Sequence, residues 1–81
     1  MTAEIKHRIV MTYRMTPRLN GLLYDLYTND VLPIGGTDAV LVHRLRKETK
    51  GKLAIITRRR LGYWLSGESR LAIRRAIGKE N

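Results

Sequence analysis

Residues 37–65 read TDAVLVHRLRKETKGKLAIITRRRLGYWL, and the fold class turns on how this stretch divides. Its first half has helical spacing. Leu41, Val42 and Leu45 form a narrow apolar stripe, while Val40, His43, Arg44 and Lys47 share another face at i, i+3, i+4, i+7. Thr37 or its neighbour suits an N-cap, Asp38 lies where negative charge favours the helix dipole, and Lys47 and Lys50 lie where positive charge does. Gly51 supplies a stop. A helix is therefore expected over Thr37–Thr49, with one greasy seam and one basic seam. The second half changes period. Leu53–Thr57 is apolar and β-branched, and Leu61–Leu65 is a second apolar run. Only Arg58, Arg59 and Arg60 separate them, so the two strands read as a β-hairpin with the arginines at or near its tip.

Working outward towards the N-terminus, Val31–Gly36 holds Pro33 and a glycine pair. It fits either a helical turn or a short strand. Before it, Thr16 suits an N-cap and Pro17 the first helical position, where a missing N–H is no loss. Leu19, Leu22, Leu23, Leu26 and Tyr27 then form one helical stripe, so a helix is expected from Pro17 to about Tyr27. From Ile5 to Met15 the pattern alternates: Ile5, His7, Ile9, Met11, Tyr13 and Met15 share one parity, with Val10 the exception. Period two over this length reads as a half-buried strand, with His7 packed or hydrogen-bonded on the sheet. Beyond the hairpin, Ser66-Gly67-Glu68 can cap a last helix from Glu68 to Ile77. Ala72, Ile73, Ala76 and Ile77 face inward there, and Arg70, Arg74 and Arg75 lie opposite. The expected order is strand, helix, short element, helix, hairpin, helix: one α+β domain over residues 1–81.

Charge narrows the function. Lys and Arg number 16 against 7 acids, a net +9. Between His43 and Arg60 there are eight cations and one acid, Glu48, so this segment carries most of the excess. Such a field attracts polyanions, nucleic acid before an anionic membrane surface. The chain has no cysteine and only two histidines, far apart, and Gly35-Gly36 lacks the Lys-Ser/Thr of a phosphate loop. With no paired carboxylates either, neither an enzyme, a metal site nor a cofactor is expected. No apolar run approaches a membrane span or the core of a signal peptide, so a cytoplasmic, nucleoid-associated protein is expected.

A helix followed at once by a cationic hairpin has the parts needed to read duplex DNA. The helix fits the major groove, where Arg44 can pair with guanine, His43 or Lys47 can reach a base edge, and Val40 can lie against a thymine methyl. Arg46, Lys50 and Thr57 can hold phosphates, and Arg58, Arg59 or Arg60 can enter a narrow minor groove. The run Val42-His43-Arg44-Leu45-Arg46-Lys47, followed by Ile56-Thr57-Arg58-Arg59-Arg60-Leu61-Gly62-Tyr63-Trp64-Leu65, resembles the C-terminal DNA-binding domain of OmpR-type response regulators. Thr16-Pro17-Arg18 with Leu22-Leu23 is similar to that family's first-helix opening, and the likeness spans about Thr16 to Ser66.

The resemblance implies a winged helix-turn-helix with an N-terminal strand, a C-terminal hairpin wing and an extra C-terminal helix. It implies that Arg44 reads a base, Val40 meets a methyl, Thr57 meets a phosphate and Arg59 enters the minor groove, with Val42, Leu45, Tyr63 and Leu65 in the core. The positioning helix, between Tyr27 and Thr37, is expected to be shortened or lost relative to the family, and no receiver domain accompanies the match. A free-standing winged helix of this size also resembles small phage and mobile-element regulators, excisionase-like proteins among them. The expected function is sequence-specific binding of double-stranded DNA in transcription regulation, as a homodimer or a head-to-tail array. Two alternatives stand beside it. One is an architectural protein that bends DNA. The other is a protein-interaction module whose last helix meets RNA polymerase or another partner.

Overall fold

A computed structural model describes residues 2–78. The chain is α+β, with helices α1 (Thr2–Tyr13), α2 (Pro17–Thr28), α3 (Ala39–Glu48) and α4 (Gly67–Gly78), and strands β1 (Leu32–Pro33), β2 (Ile55–Arg58) and β3 (Gly62–Leu65). The strands form one antiparallel sheet in the order β1-β3-β2.

The N-terminal segment is helical, which corrects the strand expected there. Ile5, Ile9 and Tyr13 are four residues apart, so they satisfy a helical stripe as well as an alternating one. Exposure separates the two readings. Ile9 is fully buried and Ile5 and Tyr13 are half-buried, whereas His7 and Met11, of the same parity, are exposed. Glu4 and Arg8 pair across one helical turn at 2.9 Å, and His7 is a solvent-facing helix residue instead of a sheet residue.

The turn into α2 is held by side chains. Thr16 Oγ1 accepts from the Leu19 N–H at 3.3 Å, and the buried Asn20 donates Nδ2 to the Met15 carbonyl at 2.8 Å. Leu19, Leu22, Leu23 and Leu26 are all buried, so the leucine stripe of α2 is the centre of the core. Around it lie Ile9 of α1, Val42 and Leu45 of α3, Ile55, Tyr63 and Leu65 of the sheet, and Ile73 and Ile77 of α4. Helix α2 packs against α1, α3 and β3, while α4 packs on α1.

The ambiguous segment turns out to hold both alternatives in succession. Leu32 and Pro33 pair with Tyr63 and Gly62, and Ile34–Gly36 then makes one 3-10 turn. Pro33 is tolerated because β1 lies at the sheet edge, where a missing N–H breaks no ladder. Glycine is required at its partner, Gly62, whose φ is 153°. A Cβ there would sit 2.0 Å from the Leu32 carbonyl oxygen.

Two arginines tie the ends of helices together. Arg70 donates to the carbonyls of Tyr27 at 2.9 Å and Asn29 at 2.8 Å, at the C-terminal end of α2. Arg8 donates to the Ile77 carbonyl at 3.0 Å, near the end of α4. Both place a cation where unsatisfied carbonyls and the helix dipole favour one. Arg70 is therefore half-buried instead of facing solvent with Arg74 and Arg75, and Ala72 is exposed instead of lying on the inward stripe. Among the described residues, no helix is long and apolar enough to cross a membrane.

Candidate functional site

Helix α3 begins at Asp38, whose Oδ1 accepts from the Val40 N–H at 2.9 Å, so Asp38 and not Thr37 is the cap. Its apolar stripe turns inward: Val42 and Leu45 are buried and Leu41 is half-buried. The other seam is left in solvent. Val40 is 62% exposed, an unusual place for a bare β-branched side chain, and His43, Arg44 and Lys47 are exposed beside it.

The helix ends in a Schellman turn. The Lys50 N–H bonds the Lys47 carbonyl and the Gly51 N–H bonds the Arg46 carbonyl. Lys50 takes the first left-handed position, φ 54°, and Gly51 follows at φ 74°. A lysine thus occupies the place that glycine fills most cheaply, and it stands exposed at the end of the basic seam.

The hairpin of β2 and β3 comes next in the chain. Its turn is closed by the Leu61 N–H on the Arg58 carbonyl at 3.1 Å, with Arg60 left-handed at φ 68°. Arg59 and Arg60 are exposed in that turn. Arg58 lies over the Trp64 ring, 5.8 Å from its centroid, which holds the third arginine along the strand. Tyr63 is buried, so of the two adjacent aromatics only Trp64 faces outward.

Arg46 is placed differently from its neighbours. It is half-buried, and its Nη2 donates to the Ile55 carbonyl and to Thr57 Oγ1, each at 2.6 Å. Two of the three residues expected at phosphates, Arg46 and Thr57, are thus bonded to each other, although Thr57 itself is exposed. Periodicity could not reveal this, because the pair forms only when α3 and β2 lie side by side. Sequence reading also missed Arg18. It lines a groove of about 380 Å³ beside the start of α3, together with the acids Asp25 and Asp38.

Among the described residues the one ion pair is Glu4–Arg8, remote from this seam. The cations at Arg44, Lys47, Lys50, Arg59 and Arg60 form no ion pair among the described residues. No group of three or more His, Asp or Glu residues is placed to hold a metal among the described residues. Comparison with protein-family models, curated proteins and solved structures finds no match to this chain.

Proposed function

We propose that this protein binds double-stranded DNA as a winged helix-turn-helix regulator. In this reading α3 enters the major groove and the hairpin is the wing. The observation that carries it is the exposed seam Val40, His43, Arg44 and Lys47, whose cations form no ion pair among the described residues and which is followed in the chain by an exposed arginine turn. The element order from α2 onward supports the same reading. A helix, an edge strand, a helical turn, a second helix and a hairpin, with sheet order β1-β3-β2, are compatible with a winged helix in which the Ile34–Gly36 turn takes the place of the positioning helix.

The residues divide by role. Arg44 reads a base edge, Val40 lies against a methyl, and His43 and Lys47 contact bases or the near strand. Lys50 holds a phosphate, and Thr57, whose oxygen accepts from Arg46, keeps its own proton to donate to one. Arg59 and Arg60 probe the minor groove, and Arg58, held on Trp64, supports them.

Selection of bound duplexes from random DNA, repeated at two salt concentrations, tests the proposal. A recurrent motif with strongly salt-dependent affinity is expected. A palindrome indicates a dimer and direct repeats a head-to-tail array. Binding with no motif would favour an architectural protein, and salt-insensitive, weak binding would reject the reading.

A further inference from the structure

The link between α3 and the hairpin is thin apart from one side chain. Helix α3 packs mainly on α2, and the hairpin packs mainly within its own sheet and on α2 through β3. Across that gap Arg46 donates from Nη2 to two acceptors on β2, the Ile55 carbonyl and Thr57 Oγ1, each at 2.6 Å. A guanidinium amino group carries two hydrogens, so each bond has its own proton, and both are short, as charge-assisted bonds are.

The strand register explains why the Ile55 carbonyl is available. The Ser66 N–H bonds the Ala54 carbonyl, and Ile56 and Arg58 stand opposite Trp64 and Gly62. Backbone groups alternate sides along a strand, so those of Ile55 and Thr57 point to the open edge of β2, away from β3. Arg46 occupies that edge. It satisfies a carbonyl that would otherwise face water or another chain, and it fixes where the strand leading to the arginine turn lies against α3.

We infer that Arg46 is a latch, a positioning residue that sets the hairpin against α3 so that the helix seam and the arginine turn present one rigid surface. The inference rests on the DNA-binding reading only for what that surface meets; the latch itself is a property of the free protein.

The free protein therefore supplies the first test. Trp64 is the chain's single tryptophan and lies in the hairpin. In Arg46→Met, amides of the hairpin should exchange about tenfold faster and Trp64 anisotropy should fall, while amides of α2 keep their protection. Thr57→Val, which removes one acceptor and keeps the side-chain shape, should show a smaller change of the same kind. It stands in for Arg46→Met should that variant not fold. Unchanged hairpin protection in a folded variant overturns the latch.

The second test is a double-mutant cycle on DNA. Arg46→Met should shrink the penalty of Arg59→Ala to near onefold and leave that of Arg44→Ala intact, because only the wing is displaced. Additive penalties for Arg46→Met and Arg59→Ala would mean that Arg46 acts alone, as a phosphate contact, and would also overturn the latch. Neutral Arg44→Ala and Arg59→Ala with faster hairpin exchange in Arg46→Met would remove the DNA reading and leave the latch standing.

Discussion

Gly62 is where two strands compete for the space of one Cβ. It pairs with Arg58 on one side and with Pro33 on the other, and the Leu32 carbonyl oxygen fills the place a side chain would take. Gly62→Ala is expected to cost roughly 3 kcal/mol or more, by strain and by forcing β1 off the sheet; urea unfolding measures it. Lys50 is the opposite case. Its left-handed backbone, φ 54°, is strained for a lysine and in open solvent. Lys50→Gly should therefore stabilise the fold by about 0.5–1 kcal/mol, the left-handed penalty less the entropy glycine loses on folding. On the DNA-binding hypothesis the same change should weaken binding slightly and equally on all sequences. A loss confined to one sequence would assign Lys50 to base reading instead.

At the scale of elements, α3 and the wing are expected to fail differently. Arg44→Ala should cost roughly 1–3 kcal/mol of binding and relax preference at one base pair. Arg59→Ala should act mainly on A/T-rich flanks, where a narrow groove concentrates negative potential. Affinities on a small panel of duplexes with varied core and flank separate the two, and equal small losses on every duplex would remove the base-reading role of α3. Helix α2 and the hairpin were legible because only one period fits each of them. Helix α1 was not, because Ile5, Ile9 and Tyr13 suit both periods, and only the exposure of His7 and Met11 decides between them.

For the whole molecule, one leucine stripe serves every layer. Leu26 is fully buried in a cluster that draws on all four α-helices and the sheet. Leu26→Ala should cost about 2–5 kcal/mol, a large share of what a chain this short has. Calorimetry should show a single transition at lower temperature, and two separated transitions would contradict a shared core. The net charge of +9 is also a whole-molecule quantity. If about four phosphates are neutralised, affinity should fall on the order of a hundredfold between 50 and 200 mM salt.

Composition and local spacing alone determined the cationic concentration between His43 and Arg60, the leucine helix, the two-seamed α3 and the hairpin, since each depends on residues near one another in the chain. Tertiary structure decided the helical state of the N-terminus, the division of Val31–Gly36 between an edge strand and a turn, and which arginines face solvent. Arg8, Arg46 and Arg70 each reach a backbone carbonyl of another segment, whereas Arg44 and Arg59 stand exposed. A guanidinium binds whatever acceptor the fold brings to it, and that acceptor cannot be read from the arginine's own neighbourhood in the sequence.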